Sequence, residues 1–95
     1  MKLTIHTATD GKHKYVAVFE SETSHKTIPF GAKGMSDYTQ HHDKLRRQRY
    51  LTRHRARESW NDPQTAGALS RHLLWGDSTS FQTNLQSFKR RFSLQ

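Results

Sequence analysis

The chain of 95 residues has no cysteine and only two prolines, and it lacks any long apolar run. Without cysteine there is no disulfide framework, no thiolate metal site and no cysteine nucleophile. The apolar runs are too short for a secretory signal or a membrane span, so we expect a soluble protein that is neither secreted nor membrane-bound. Apolar residues make up only 32% of the chain and the mean hydropathy is −1.00. We therefore expect one modest core and a single domain over residues 1–95.

Acidic residues are also scarce, with eight Asp and Glu against sixteen Lys and Arg, which gives a formal net charge of +8. A surface of this kind attracts polyanions, so nucleic acid is the expected partner. The charge is concentrated between Asp43 and Trp60, where seven Lys and Arg stand against Asp43 and Glu58. Good helix formers dominate that segment, and neither glycine nor proline interrupts it. It is therefore predicted to form one helix of about four turns.

Residues 1–30 carry the pattern of a small antiparallel sheet. Three segments alternate apolar and polar residues or are rich in β-branched and aromatic ones: 2–8, 14–20 and 25–30. Gly11 can take the positive φ of a tight hairpin, and Pro29 requires the third strand either to be an edge or to end there. Residues 31–42 contain two glycines but lack the spacing of a phosphate-binding loop, so we interpret them as a connector.

Three helices are predicted over residues 43–92, which makes the fold class α+β with an N-terminal three-stranded sheet. After the long helix, Asp62 and Pro63 have the pattern of an N-cap and a first helical residue. They predict a short helix over residues 63–74, with three residues on its apolar side: Ala66, Leu69 and Leu73. Gly67 within it would let another element approach closely.

The last predicted helix begins at Thr79, which forms a capping-box pattern with Gln82. Four apolar residues recur along it at helical spacing: Phe81, Leu85, Phe88 and Phe92. This stripe is typical of a helix that packs on a core.

A series of short motifs follows the third strand: FGAKGMSDYT, HxD, RxxY, RHxxRExW, TAGxLSRxLLW and the closing FKRRF. In this combination the region from Phe30 to Phe92 resembles an uncharacterised family of small basic domains encoded by large DNA viruses of algae and amoebae. The resemblance implies a shared fold, a viral origin and a location in the virion or in the viral factory of the host cell. It implies no activity.

The candidate binding site is the row of arginines on the middle helix. Arg46, Arg49, Arg53 and Arg57 are spaced by three or four residues and so share one face, from which guanidinium groups can make bidentate bonds to phosphates. Five further cations are predicted to be peripheral contacts: Arg47, Arg55, Lys89, Arg90 and Arg91. No base-reading motif is present, so we expect contact with the backbone of DNA or RNA, largely independent of sequence. Engagement of about five phosphates predicts a slope of about −4 to −5 in log affinity against log salt.

Other functions stay open at this level. The row could be a solvated face without a ligand, and an exposed Trp60 or Trp75 could anchor capsid or other viral proteins in a structural or adaptor role. A metal-dependent nuclease is a more remote alternative. It would draw on two polar groups: Asp37, His41, His42 and Asp43, and the pair His54 and Glu58.

The simpler interpretation of those polar residues is structural. Asp37 and Asp43 cap the helix start, Tyr50 and His54 face the core, and Glu58 pairs with Arg55 or Arg57. We expect no catalytic residue, no metal and no cofactor, and the sequence leaves the oligomeric state open.

Overall fold

The computed structural model describes residues 1–95 and has the predicted α+β architecture. Three strands, β1 (Lys2–Thr7), β2 (His13–Glu20) and β3 (His25–Ala32), form an antiparallel sheet in the order β1-β2-β3. The pairing sets Leu3 opposite Phe19 and Ala17 opposite Ile28. Because side chains alternate across a strand, these buried residues lie on one face of the sheet.

The two features predicted for the sheet connections are confirmed. Gly11 has φ +76°, in a turn where the Asp10 carboxylate accepts hydrogen bonds from the backbone N–H groups of Lys12 (2.8 Å) and His13 (2.9 Å). Pro29 lies on the edge strand β3, where one side of the backbone needs no partner. For the same reason the strand continues past Pro29 to Ala32.

Four α-helices follow the sheet: α1 (Tyr38–His41), α2 (Lys44–Arg55), α3 (Ala66–Leu69) and α4 (Phe81–Arg91). A π-helical turn, Ser70–Leu74, continues α3. No helix combines the length and the apolar character needed to span a bilayer.

Helix α1 lies inside the segment predicted as a plain connector. Asp37 is its N-cap: the carboxylate accepts from the Thr39 N–H (2.9 Å), and the Gln40 side chain accepts from the Asp37 N–H (3.2 Å). This reciprocal capping box stabilises a helix too short to be recognised from periodicity. Asp43 caps α2 by accepting from the N–H groups of Leu45 and Arg46. The predicted cap at Asp43 is confirmed, whereas Asp37 caps α1 and not, as was predicted, the start of the long helix.

The prediction that the middle helix reaches Trp60 is wrong, because α2 ends at Arg55. The Arg57 N–H donates to the His54 carbonyl (3.0 Å), which closes a tighter turn. Glu58 then folds back, with its carboxylate 3.0 Å from His54 Nδ1 and accepting from Trp60 Nε1 (2.9 Å). Glu58 therefore pairs with His54, and not with Arg55 or Arg57 as predicted.

The short helix begins later than predicted. Thr65 is the N-cap, with its hydroxyl accepting from the Ala68 N–H (3.1 Å), while Asp62 forms only a turn with the Gln64 N–H (3.0 Å). Ala66 is exposed, so it does not belong to the apolar side. The close approach predicted at Gly67 is confirmed, since a Cβ there would lie 2.9 Å from Glu58 Cδ.

The N-cap of the last helix lies one residue later than predicted. Ser80, and not Thr79, is the N-cap of α4, with its hydroxyl accepting from the Thr83 N–H (3.2 Å). The predicted apolar stripe is confirmed, because Phe88 is buried and Phe81, Leu85 and Phe92 pack against the core.

The core fills the space between the sheet and the C-terminal helices. Its buried members come from both: Leu3, Ala17, Phe19, Ile28, Phe30, Leu69, Leu73, Leu74 and Phe88. The buried side chain of Asn84 donates to the carbonyls of Leu73 (3.1 Å) and Ser78 (2.8 Å) and accepts from the Ser78 N–H (3.0 Å). These bonds tie α4 to the π-helical turn and the loop after it.

Candidate functional site

Helix α2 is fixed to the rest of the molecule by stacked aromatic rings. The buried Tyr50 ring lies between Trp75 (centroids 4.3 Å, planes 4° apart) and His54 (4.1 Å, 21°). His41 lies on the other side of Trp75, at 5.3 Å. Burial raises the pKa of the Tyr50 hydroxyl. The prediction that Tyr50 faces the core is confirmed, whereas the His54 side chain is 37% exposed and does not belong to the core. The burial of Tyr50 determines which arginines face outward.

Arg47 adds a second attachment between α2 and the C-terminal part. Its Nε donates to the carbonyls of Gly76 (2.9 Å) and Trp75 (3.2 Å), and its Nη2 donates to the Asp77 carboxylate (2.8 Å). The guanidinium also lies 5.6 Å from the centre of the Tyr38 ring. Only 20% of the side chain is exposed, so Arg47 is a structural residue and does not fit the peripheral contact predicted for it.

The cleft beside α2, which we call the α2 cleft, has a volume of about 530 Å³. Arg46, Arg49 and Arg53 line it, and all three are exposed. None of them has a carboxylate within 4.0 Å. The structure thus brings three of the four predicted arginines together, and none of the three forms an ion pair within the molecule.

Three other charged side chains line the α2 cleft, one basic and two acidic: Lys14, Asp37 and Glu58. Glu58 is bonded to His54 and Trp60. The Lys14 ammonium group donates to the Asp37 carboxylate and to the Gln40 side-chain oxygen (2.8 Å). Because this ion pair is largely buried and internally satisfied, the positive potential of the α2 cleft comes from α2.

Arg57 does not join the row, which corrects the prediction. It follows the end of α2, so the helical spacing no longer applies to it. Arg57 lines a second cleft of about 850 Å³ together with Arg55 and Arg91. We call this one the α4 cleft, because α4 forms one of its walls.

The remaining predicted cations are distributed along the last turn of α4. Arg90 is exposed and donates to the Ser87 hydroxyl (3.3 Å), and Lys89 lines neither cleft. Arg71 was not among the predicted site residues, but it lines the α4 cleft. Helical spacing gave no indication of it, since it comes from the π-helical turn.

The polar residues considered for a metal site are engaged in local structure. His41 Nδ1 accepts from the Asp43 N–H (2.9 Å), and a ring nitrogen of His42 lies 3.2 Å from the Thr39 carbonyl oxygen. Trp75 and Tyr50 separate His41 from His54 in the stack. No group of three or more His, Asp or Glu side chains converges where a metal ion could bind.

Both tryptophans contact other side chains within the molecule. Trp75 stacks on Tyr50, and the Trp60 ring is covered by the Arg71 guanidinium at 5.2 Å while its Nε1 donates to Glu58. Each is only partly exposed. Neither has the exposure expected of an aromatic anchor for another protein.

Comparison with known families gives a match over residues 3–54, which run from β1 almost to the end of α2. The match includes the sheet and the three arginines of the α2 cleft, and it begins well before Phe30, where the resemblance in motifs began. It does not include Arg71 or α4. No curated protein and no solved structure matches the chain significantly. Since the matched segment covers more than half of the chain, the protein belongs to a family of unknown function (DUF5754).

Proposed function

We propose that the protein binds nucleic acid through the phosphate backbone, largely independent of sequence, with Arg46, Arg49 and Arg53 as the principal contacts. One observation carries this proposal: three exposed guanidiniums without acidic partners line the same cleft. Planar guanidinium groups suit phosphate oxygens, because each can donate two parallel hydrogen bonds.

The dimensions of the row support this ligand. At about 1.5 Å per residue, the seven steps from Arg46 to Arg53 extend about 10 Å along α2. Successive phosphates of one strand advance about 3.4 Å along a duplex axis, so about three such steps, which join four phosphates, span the same length. The three arginines can therefore contact phosphates within one short run of a strand.

A longer strand would reach the peripheral cations as well. Arg55 and Arg57 follow Arg53 along the chain, and three more cations lie in the last turn of α4: Lys89, Arg90 and Arg91. Arg47 is left out of the proposal, because its donors are already bonded to carbonyl and carboxylate groups.

The biological setting is part of the same proposal. The resemblance of the motifs between Phe30 and Phe92 to domains of large DNA viruses supports a viral origin. The protein would then bind a viral genome or its transcripts, either in the virion or in the viral factory.

Reversal of two charges in the row tests the proposal. In the variant Arg49→Glu/Arg53→Glu we expect loss of binding to duplex DNA, single strands and RNA, with an unchanged circular dichroism spectrum, because both side chains are exposed. The matched control is Lys2→Glu/Lys26→Glu, which makes the same charge change at exposed positions that line neither cleft. It should bind at least about ten times more tightly than the first variant. Binding retained in the arginine variant would contradict the proposal.

A structural or adaptor role beside capsid or other viral proteins is the alternative. It would use the exposed apolar side chains of Met35 (66% exposed) and Leu45 (69% exposed) rather than the tryptophans. A pull-down of capsid proteins that is insensitive to salt would favour that role, whereas a salt-sensitive gel shift favours nucleic acid. The remote nuclease alternative has no specific observation in its favour.

A further inference from the structure

The α4 cleft has the composition of an anion-binding site. Four arginines from three different parts of the chain line it: Arg55, Arg57, Arg71 and Arg91. Four hydroxyl groups also line it: Ser59, Ser78, Thr83 and Ser87. A concave surface with several convergent cations and hydroxyl donors suits a small oxyanion better than it suits an extended polymer.

Arg71 is the central residue of this cleft because it is half-buried and has no counter-ion. Its Nη1 donates to the Trp75 carbonyl (3.1 Å) and its guanidinium covers the Trp60 ring, but no carboxylate lies within 4.0 Å. Its Nε–H is buried and has no acceptor. A half-buried cation with unused donors is stabilised when an anion binds beside it.

The two acidic residues of the α4 cleft do not supply that anion. Glu58 is bonded to His54 and Trp60, and Asp77 is bonded to Arg47 and 95% exposed. Burial and the positive charges of Arg47 and Arg91 lower the pKa of Arg71. Because neither carboxylate forms an ion pair with an arginine of the cleft, the lining keeps an excess of positive charge.

We propose that the α4 cleft binds a phosphate group, either free phosphate or a phosphomonoester, with Arg71 on its floor and the exposed Arg57 and Arg91 at its rim. The phosphate oxygens accept hydrogen bonds from these guanidiniums and from the neighbouring hydroxyls. This site contains none of the three principal arginines of the proposed backbone contact, although Arg55, Arg57 and Arg91 are also among its peripheral cations.

Nuclear magnetic resonance of the arginine Nε–H groups tests this site directly. Titration of the whole protein with inorganic phosphate should shift the Arg71 Nε–H resonance saturably, whereas sodium chloride at matched ionic strength should not. A linear drift that is the same in both salts would overturn the site, since it indicates unspecific screening.

Variants of two neighbouring arginines distinguish a specific phosphate site from nonspecific electrostatic attraction. Arg91→Ala removes a lining residue and should weaken phosphate binding about tenfold, as expected for one charge-assisted hydrogen bond. Arg90→Ala removes the same charge one residue away, outside the cleft, and should change the affinity less than about twofold. Equal losses in the two variants would overturn the proposal. Both positions are exposed, so neither change should unfold the protein.

Two further titrations identify the source of the phosphate and separate the two proposals. Tighter binding of a nucleoside 5′-monophosphate than of inorganic phosphate assigns the site to a phosphomonoester, and equal affinity assigns it to free phosphate. The variant Arg49→Glu/Arg53→Glu should bind phosphate as the wild type does, even though it no longer binds nucleic acid. A saturable site in the wild type that disappears in this variant would overturn the assignment to the α4 cleft.

Discussion

Arg46 and Arg47 are adjacent in the sequence, yet only Arg46 is free to meet a ligand. Arg46 is exposed and lines the α2 cleft, whereas Arg47 donates to two backbone carbonyls and to Asp77. Adjacent residues on a helix point about 100° apart, so the side that packs decides their roles. That side is set by Tyr50 and its stack with Trp75.

The two arginines should therefore respond in opposite ways to truncation. Arg47→Ala should lower the free energy of unfolding by about 1 to 2 kcal/mol through the lost carbonyl bonds, and by little through the exposed Asp77. The affinity of the Arg47→Ala variant for nucleic acid should stay nearly unchanged. Arg46→Ala should leave unfolding by urea unchanged and weaken binding several-fold. If Arg47→Ala weakened binding more than Arg46→Ala, the assignment of roles would be wrong.

His72 is a second residue whose role is visible only in the fold. Its ring centroid lies 5.7 Å from those of both Phe88 and Phe92, and its Nε2 lies 3.0 Å from the Trp60 carbonyl oxygen. Burial, together with the charges of Arg71 and Arg91, lowers the pKa of His72 below its ordinary value of 6.5.

This shift predicts a loss of stability in mild acid. Below about pH 6.5 the unfolded chain takes up a proton that the folded His72 resists, so the free energy of unfolding falls as the pH drops towards the folded pKa. His72→Gln keeps a donor for the Trp60 carbonyl but cannot titrate, and its thermal midpoint should fall less than that of the wild type between about pH 7 and pH 5. Equal decreases would show that other groups cause the acid sensitivity.

Protonation of Asp10 and Asp43 should not contribute to the stability change between about pH 7 and pH 5. The His13 side chain and two backbone N–H groups hold the pKa of Asp10 below its usual range, and backbone N–H groups of α2 do the same for Asp43. Their stabilising effect is present above the unfolded pKa and is lost only below about pH 4.

At the scale of elements, the π-helical turn Ser70–Leu74 decides how the C-terminal part packs. The Trp75 N–H donates to the Ser70 carbonyl (3.0 Å), five residues back, and the chain then turns sharply at Gly76. A Cβ at Gly76 would lie 2.3 Å from the His72 carbonyl oxygen and 2.7 Å from the Asn84 amide. The turn therefore requires glycine for space.

Gly76→Ala should lower the free energy of unfolding by about 3 kcal/mol, because both neighbours are fixed in the structure. The control is Gly34→Ala, where the backbone has φ +87° but a Cβ would have no neighbour within 4 Å. That change should cost only about 1 kcal/mol of backbone strain. Urea unfolding of both variants measures the difference. A loss of stability in Gly76→Ala no larger than that in Gly34→Ala would contradict the close packing at Gly76.

Elements determined by local patterns were predictable from the sequence. The three strands, the cap of α2 at Asp43 and the stripe of α4 all follow from neighbouring residues. The end of α2 was not predictable, because Glu58 leaves the helix to bond His54 and Trp60. Helix propensity contains no information about such a contact.

At the scale of the whole molecule, the fold class and the row of arginines were predicted, but the division of the surface into two clefts was not. Arg57 and Arg71 reach the α4 cleft through the end of α2 and the π-helical turn, and both features depend on tertiary packing. The predicted row of four arginines is divided between two clefts, with Arg57 in the α4 cleft and the other three in the α2 cleft. Only in the α2 cleft do all the arginines come from one helix.

The salt dependence of binding tests the central claim most directly, since each phosphate contact contributes about −0.9 to the slope of log affinity against log salt on duplex DNA. For the wild type we expect a slope of about −3 to −5, and for Arg46→Ala/Arg49→Ala/Arg53→Ala a slope flatter by about 2.7. A triple variant with the slope of the wild type would show that the phosphates are held elsewhere, and it would contradict the account.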